Sequence, residues 1–359
     1  MIAHRLAKAF ASVVLAIAAV AMLPQLARAD AADDLVAQAM RKDHVPGLSL
    51  AVVKDGRIVK MRGYGWADVE QQVAATPQTV YQTGSIGKQF TSMLVMMLVG
   101  DGVLKLDDPI TKYLGTPNAA WRPITIRMLL THTSGISNDA LDDGNLSLTY
   151  TPDQVLKMIA KTPLDFKPGT KWKYSNCGYE LLGFIVKKAT GTFYGDLLAR
   201  RVWMPLGMGQ TRIIDLADIV PHRAPGYVWE SGKLQNQPYV SQSWNTTADG
   251  SMYTSVEDMV KWIAALDAQR FISAAAYRQM YTPVRLANGK TKPYGFGWEI
   301  DSYKGGRVYE HDGVWQGFTG VVARYVDAHV SVVVLSNMGD SDAVSDLGDS
   351  IARAYINSR

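Results

Sequence analysis

The chain has 359 residues, of which 47% are hydrophobic and 19% charged, with a formal net charge of +4 at pH 7. Three of its basic residues lie in the first 29 positions, so the remaining chain is close to neutral, which argues against nucleic acid as a partner. The single cysteine, Cys177, excludes an intramolecular disulfide and is expected in the core, and the six histidines show no clustered spacing, so we expect neither a metal nor a cofactor.

The first 29 residues have the pattern of a secretory signal peptide. A basic start with Arg5 and Lys8 precedes an apolar run over 9–23 and a small-residue site at 27–29. The apolar run is shorter than the roughly 20 residues that a membrane span requires, and no cysteine follows it for lipid attachment. We expect cleavage after Ala29, no stable membrane anchor afterwards, and a periplasmic or secreted protein.

Strands are predicted at both ends of the remaining chain. After a helix over 33–40, two apolar runs within 48–68 flank Lys54-Asp55-Gly56, and Asp-Gly between such runs predicts a hairpin. Near the other end, apolar and alternating patterns predict four strands and a closing helix, at 294–300, 307–313, 317–327, 329–337 and 342–356.

The middle of the chain, from residue 85 to about residue 212, has mainly helical patterns, and Thr254 with Glu257 predicts a capping box for a further helix. We therefore predict an α/β (α+β) fold: an antiparallel sheet flanked by helices and built from both chain ends, with an inserted helical subdomain. One catalytic domain, residues 30–359, would have its α/β part at about 30–80 and 252–359 and its helical part at about 85–250.

The stretch YQTGSIGKQF, residues 81–90, places a short glycine turn before helix-forming residues. A phosphate-binding loop would need a glycine at Gln82 and a hydroxyl residue at Gln89, so that function is excluded. Ser85 and Lys88 are three residues apart, which puts them on one helix face, about 5–6 Å apart at Cβ. A base so placed can activate a serine hydroxyl as a nucleophile.

The stretch PGTKWKYSNCGYE, residues 168–180, can add a proton carrier to such a site. Tyr174 and Asn176 stand directly before a helical pattern. A tyrosine near a lysine ammonium is expected to have its pKa pulled below the usual value of about 10, so that it can act as a base. The alternative is that the two residues only cap the helix.

The stretch EHDGVWQGF, residues 310–318, can supply an oxyanion site. Gly313 allows the backbone to approach a ligand closely. The N–H of Val314, paired with that of Ser85, would then bind a developing oxyanion. An isolated His311 is otherwise expected to be a solvated or core residue.

The order S-x-x-K at 85–88, Y-x-N at 174–176 and H-x-G at 311–313 resembles that of the serine β-lactamase and penicillin-binding-protein superfamily. The similarity is to its class C-like branch, which includes esterases and D-amino-acid-specific peptidases, and covers nearly the whole chain after the signal peptide. Other segments resemble the family's framework rather than its chemistry, namely 101–114, 124–136 with His132, 205–211 and 294–298.

The resemblance implies a role for each site residue. Ser85 would be the acylated nucleophile, and Lys88 would share its proton with Tyr174. Tyr174 would protonate the leaving group and then activate the water that releases the acyl group. Asn176 would hydrogen-bond the substrate, and His311 would stabilise the ionised form of Tyr174.

The third motif departs from the K-T-G form of β-lactamases. His311 replaces the lysine and is mostly neutral at pH 7 by its usual pKa of about 6.5, and Asp312 replaces the hydroxyl residue. An inward Asp312 would repel a substrate carboxylate and would favour a substrate with an amine, whereas an outward Asp312 only removes a donor. Both arrangements weaken β-lactam hydrolysis.

We therefore expect an exported serine hydrolase that forms an acyl-enzyme on Ser85 and cleaves esters, amides or peptides, its substrate being a small molecule or a peptide such as a cell-wall fragment. The alternatives are a β-lactamase or D-Ala-D-Ala carboxypeptidase, or a penicillin-binding or sensing module without turnover; the presence of Tyr174 favours an enzyme. Segments 140–163 and 225–250 are expected to rim the cleft, with Trp244 and Trp315 either lining it or in the core.

Overall fold

The two ends of the chain build one sheet in the computed structural model, which describes residues 31–142 and 145–358. The predicted signal peptide lies outside these residues. The strands are β1 (Gly47–Lys54), β2 (Arg57–Asp68), β3 (Val73–Ala74), β4 (Tyr81–Gln82), β5 (Tyr227–Glu230), β6 (Lys233–Asn236), β7 (Tyr253–Thr254), β8 (Val284–Arg285), β9 (Thr291–Lys292), β10 (Glu299–Tyr303), β11 (Gly306–Trp315), β12 (Phe318–Tyr325) and β13 (Val330–Ser336).

A seven-stranded sheet has the order β10-β11-β12-β13-β1-β2-β3, and its neighbouring strands are antiparallel. The pairing of β13 with β1 joins the C-terminal strands to the N-terminal hairpin. Three two-stranded sheets, β4-β7, β5-β6 and β8-β9, lie outside it. The predicted mixed α/β class, with an antiparallel sheet made by both chain ends, is confirmed.

Helices surround this sheet and fill the middle of the chain. They are α1 (Ala31–Lys42), α2 (Lys88–Gly100), α3 (Thr111–Leu114), α4 (Ile126–Leu130), α5 (Asp139–Asp142), α6 (Pro152–Lys161), α7 (Asn176–Thr190), α8 (Tyr194–Leu198), α9 (Met204–Leu206), α10 (Val256–Asp267), α11 (Ala274–Met280), α12 (Asp342–Ser345) and α13 (Leu347–Asn357). None of these described helices combines the length and the apolar character needed to cross a bilayer.

The alternation of side chains along each strand gives the sheet two apolar faces. On one face, Val321 and Val334 pack with α1 and α13. On the other face, Val322 and Val333 belong to the larger core that contains α2 and α10. Both faces of the sheet are therefore covered by helices, and the large core extends into the helical part of the chain.

Helix α2 crosses that larger core. From Lys88 to Leu98 all its residues are buried, as expected for a helix that is apolar on nearly every side. Gly297 packs against its first turn, because a Cβ there would lie 2.7 Å from the carbonyl oxygen of Lys88. The first residue of α2 is thus a lysine enclosed by protein, which is costly unless its ammonium is well hydrogen-bonded.

The N-terminal hairpin forms as predicted, with β1 and β2 joined at Asp55-Gly56. Both turn residues have positive φ, 52° and 71°, as a type I′ turn requires. A second hairpin, β5-β6, lies within the predicted helical part. Its turn, Ser231-Gly232, also has two positive φ values, 52° and 75°. The Ser-Gly pair was the sequence signal for this turn, and the prediction of a helical part over this segment missed it.

Three local boundaries differ from the prediction. The N-cap of α10 is Ser255, whose hydroxyl accepts from the N–H of Asp258, while Thr254 belongs to β7. The strand predicted over 294–300 begins at Glu299, because Gly295 before it lies against the end of α11 and Gly297 against α2. The closing helix is divided at Asp346 into α12 and α13.

Candidate active site

The candidate nucleophile lies in a tight turn that runs directly into α2. Residues Gly84–Gly87 form one 3-10 turn, and Lys88 begins the α-helix. Gly84 has φ 52°, and a Cβ there would lie 2.7 Å from the backbone nitrogen of Val314. Only glycine permits this conformation and this approach. Ser85 is partly exposed, so its hydroxyl can meet a substrate.

Lys88 places its ammonium among three oxygen atoms. Its Nζ donates to Ser85 Oγ at 2.9 Å, to Asn176 Oδ1 at 2.8 Å and to the carbonyl oxygen of Asp249 at 2.7 Å. These bonds use the three protons of the ammonium. Burial lowers the pKa of Lys88 to about 8, although the nearby charges of Asp249 and Asp312 oppose the change.

The Y-x-N segment is held by a residue that the sequence analysis did not single out. Asn138 accepts from the N–H of Asn176 at 2.7 Å through Oδ1 and donates to the carbonyl oxygen of Tyr174 at 3.3 Å through Nδ2. Ser175 caps α7 by accepting from the N–H of Gly178 at 3.0 Å. Together these bonds fix the turn that carries both predicted site residues.

Tyr174 lies beside Lys88, with the lysine Nζ 4.9 Å from the centre of its ring. Its hydroxyl is buried and has no hydrogen-bond partner of good geometry within the described residues. Burial raises the pKa of Tyr174 well above 10, and the nearby Ser85 hydroxyl opposes this only in part. The expectation of a lowered pKa is therefore wrong, because desolvation of the phenolate outweighs attraction to the ammonium.

His311 is 1% exposed and uses both ring nitrogens. Nδ1 lies 2.6 Å from the carbonyl oxygen of Asp312, so it carries the proton, and Nε2 then accepts from the hydroxyl of Tyr294 at 2.9 Å. Burial and the charge of Lys88 lower the pKa of His311 to about 4, so the ring is neutral at pH 7. Its ring centre is 6.0 Å from that of Tyr174, and its direct partner is Tyr294 instead.

Asp312 points away from the site. It pairs with Val321, which faces the layer of α1 and α13, whereas His311 pairs with Val322 on the site face. Its side chain is 50% exposed, and Oδ2 accepts from the Ser345 hydroxyl at 3.4 Å. Of the two orientations considered from the sequence, the outward one is observed, so Asp312 offers no direct contact to a substrate amine.

Gly313 brings the end of β11 against the nucleophile turn. A Cβ at this position would lie 2.0 Å from the carbonyl oxygen of Thr83 and 3.0 Å from the backbone nitrogen of Ser85. The next residue is Val314, whose backbone contacts Gly84. The backbones that carry the two predicted oxyanion donors are thus neighbours.

His132 supports the site from behind. It is buried, its Nδ1 accepts from the N–H of Ser175 at 3.1 Å, and its ring centre is 4.2 Å from that of Tyr174. Of the two tryptophans considered for the cleft, Trp244 is buried in the large core, and Trp315 is half-buried at the end of β11. Nowhere in 31–142 and 145–358 do three or more His, Cys, Asp or Glu side chains group in a way that could hold a metal.

Comparison with known proteins identifies the family of this chain. A family model described as Beta-lactamase matches residues 32–355. A Bacillus subtilis penicillin-binding protein is 29% identical over 80% of this chain and 67% of its own length. The chain spans about two thirds of the length of the curated relatives it matches.

Two solved structures extend the comparison. The octameric penicillin-binding protein homologue from Pyrococcus abyssi superposes with a TM-score of 0.77 at 29% identity, covering 90% of this chain and 75% of that one. A D-stereospecific amidohydrolase from a Streptomyces species gives a TM-score of 0.71 at 26% identity, covering 88% of this chain and 98% of that one. With a family model that spans nearly all described residues, the chain belongs to the β-lactamase family.

Proposed function

We propose that the protein is an exported serine hydrolase that forms an acyl-enzyme on Ser85 and cleaves esters or amides, including peptides. The observation that carries this proposal is the 2.9 Å bond between Lys88 Nζ and Ser85 Oγ inside a buried site. Burial disfavours the charged form of Lys88, so a larger fraction of the lysine is neutral at pH 7 and able to accept the serine proton.

Lys88 is the group that takes the serine proton. With a pKa of about 8, roughly one lysine in ten is neutral at pH 7, compared with far fewer for an exposed lysine. The neutral amine accepts the proton of Ser85 while Oγ attacks the substrate carbonyl carbon. The oxygen of the tetrahedral intermediate then lies near the N–H groups of Ser85 and Val314, which stabilise its negative charge.

Tyr174 acts as a neutral phenol in this scheme. Its raised pKa keeps it protonated at pH 7, so it has a proton to give to the departing amine or alkoxide, and it regains one from the Lys88 ammonium. The acyl group is then bound to Ser85 Oγ, and Lys88 is neutral again. In deacylation the same groups work in reverse, with water in place of the leaving group.

The face of β11 that lines the site carries no positive charge, so it suits substrates that have no carboxylate next to this strand. His311 is uncharged at pH 7, and Asp312 points to the other face of the sheet. A penicillin carboxylate would therefore lack the cation that K-T-G provides. Amides of D-residues are the substrate class to examine first, since the Streptomyces neighbour is named a D-stereospecific amidohydrolase.

The proposal of a periplasmic or secreted location rests on the sequence pattern of residues 1–29. A cell-wall fragment is then an accessible peptide substrate for an exported hydrolase.

Labelling of the mature protein with a fluorophosphonate tests the proposed chemistry. We expect one adduct, mapped by peptide mass spectrometry to the peptide with Ser85, together with turnover of a short-chain p-nitrophenyl ester. Heat-denatured protein is the control and should not be labelled. A stable adduct with benzylpenicillin and no ester turnover would instead support a penicillin-binding module, and labelling at another residue would contradict the proposal.

The pH dependence of ester hydrolysis should follow Lys88. Since the neutral lysine is the reactive form, kcat/KM should rise about tenfold per pH unit from pH 6 and level off above about pH 8. His311, with a pKa of about 4, and Tyr174, with a pKa well above 10, do not titrate in this window. The profile is obtained from steady-state assays, from which the background rate of the Ser85→Ala variant is subtracted. A kcat/KM that does not change with pH would exclude Lys88 as the base.

Replacing Tyr174 by phenylalanine should slow turnover by roughly 10²-fold, because general acid–base groups typically contribute at least that much. The fold should persist, since the hydroxyl has no partner of good geometry among the described residues and its removal leaves no acceptor unpaired. Burst kinetics would show whether acylation or deacylation is slowed, and circular dichroism would report the fold. Unchanged turnover would assign the proton transfer to another group.

A further inference from the structure

A cavity apart from the candidate active site lies among the helices of the middle of the chain. It has a volume of about 430 Å³ and lies between α6, the later turns of α7, the start of α8 and residues 242–246. Its lining residues include Tyr150, Glu180, Phe184, Lys187, Phe193 and Tyr194. None of Ser85, Lys88, Tyr174, Asn176 or His311 lines it. The cavity is therefore separate from the cleft that the proposed hydrolysis uses.

Glu180 is the polar group of this cavity. It is 6% exposed, and its Oε2 accepts from the N–H of Ala248 at 3.0 Å. Within the described residues, Oε1 has no hydrogen-bond partner, and Glu180 lines the cavity, so this oxygen is free to meet a ligand. Glu180 Oε1 is not among the fully enclosed polar atoms, so the cavity is the side from which a ligand group can reach it.

The charges around Glu180 favour a cation at this point. Burial of the carboxyl, together with the negative charge of the nearby buried Asp249, raises the pKa of Glu180 to about 8. The Tyr194 hydroxyl is occupied, since it donates to the carbonyl oxygen of Thr247 at 2.6 Å. Lys187 lies on the rim, where its Nζ donates to the carbonyl oxygen of Gly191 at 2.8 Å. A ligand ammonium would reduce the repulsion between the two carboxyl groups.

The rest of the wall suits an apolar body. The rings of Phe193 and Tyr194 meet edge to face at 4.7 Å, and Phe184 stands one helical turn beyond Glu180 on α7. Aromatic walls of this kind bind aryl or alkyl groups by burial of apolar surface and, through their ring faces, also attract cations. The combination is that of a site for a small amine with an aromatic or aliphatic tail.

We propose that this cavity binds a primary amine with an aromatic or branched apolar body, with Glu180 as the counter-ion of the ammonium. The site would communicate with the nucleophile through one short loop. Ala248, whose N–H binds Glu180, precedes Asp249, whose carbonyl oxygen accepts from Lys88. Glu180 also lies one turn after Asn176 on α7. A ligand bound at Glu180 is therefore expected to shift the carbonyl oxygen of Asp249, which accepts from Lys88.

The test uses the full mature protein with Ser85 first blocked by a fluorophosphonate. Isothermal titration with 2-phenylethylamine at pH 7 should show one binding site. Repeating it in two buffers of different ionisation enthalpy counts the protons released on binding. About one proton should be released, since Glu180 must ionise to pair with the ammonium. The neutral isostere 2-phenylethanol should bind at least about tenfold more weakly. Equal binding of the alcohol would contradict the role of charge.

Two variants locate the site. Glu180→Gln keeps an acceptor for the N–H of Ala248 and should weaken amine binding about tenfold or more, without the proton release. Glu257→Gln changes a half-buried carboxyl at the start of α10, outside the cavity, and should leave amine binding unchanged. Should Glu180→Gln fail to fold, Phe184→Ala, which removes an apolar wall, must weaken binding instead. Binding of the amine to the unblocked protein but not to the blocked one would assign the amine to the catalytic cleft and overturn the proposal.

Discussion

Replacing Lys88 with methionine is expected to lower kcat/KM for ester hydrolysis by about 10³-fold, within the range that a positioned general base contributes. Methionine has nearly the length of lysine and no charge, so the buried space remains filled. The change removes the proton acceptor of Ser85 and leaves Asn176 Oδ1 and the carbonyl oxygen of Asp249 without their donor. The loss should appear in acylation, measured by the fluorophosphonate reaction rate.

Two further lysine variants separate the role as a base from the role as a charge. Lys88→Arg retains a cation that does not lose its proton near neutral pH, so it should be as inactive as Lys88→Met. Lys112→Met changes an exposed lysine of α3, bonded to Asp108, and should leave kcat/KM unchanged within about twofold. Circular dichroism must show folded proteins. Substantial activity in a folded Lys88→Arg variant would contradict the assignment of Lys88 as the base.

The sequence predicted the parts of the site that depend on local spacing. The spacing of three positions from Ser85 to Lys88 brings the two side chains together where a 3-10 turn runs into α2, and the structure joins them by a hydrogen bond. The register of β11 likewise follows from alternation, which places His311 and Gly313 on one face and Asp312 on the other. Which of these faces meets the helical layer was not readable, because it depends on how distant segments pack.

The pKa of Tyr174 shows why the chemistry was harder to predict than the residues. From the sequence, proximity to Lys88 suggests a lowered pKa, since an opposite charge favours the phenolate. The structure adds the desolvation of both groups, which acts in the other direction on the phenol and is larger. Burial is a property of the assembled core, so the sign of the shift could not follow from a three-residue motif.

Partners from distant parts of the chain were missed for the same reason. Asn138 fixes the turn of Tyr174, Tyr294 donates to His311, and the carbonyl oxygen of Asp249 accepts from Lys88. Asn138 and Asp249 stand in loops without a distinctive pattern, and Tyr294 belongs to a segment interpreted as framework. Backbone acceptors in particular carry no residue signature. The aromatic residue before the glycines of 294–298 was the one available signal.

A Gly313→Ala variant should lose about 10²–10³-fold in kcat/KM, the effect expected when an oxyanion donor is displaced. The added Cβ would lie 2.0 Å from the carbonyl oxygen of Thr83, a distance at which the strand or the turn must move. Either movement separates the N–H groups of Ser85 and Val314. Lys88 and Tyr174 would remain in place, so the defect should reside in kcat more than in KM.

The control for this variant is Gly100→Ala, at the end of α2, where an added Cβ meets no atom within 4 Å. It should keep wild-type activity, since alanine is favoured over glycine in helices. Thermal unfolding of both variants separates strain from catalysis: Gly313→Ala is expected to have a lower Tm yet remain folded at 25 °C. Fluorophosphonate titration counts the competent serines, so the rate can be expressed per labelled Ser85. A normal rate per labelled Ser85 in Gly313→Ala would show that the approach of β11 to the nucleophile turn is only structural. The oxyanion donors would then lie elsewhere.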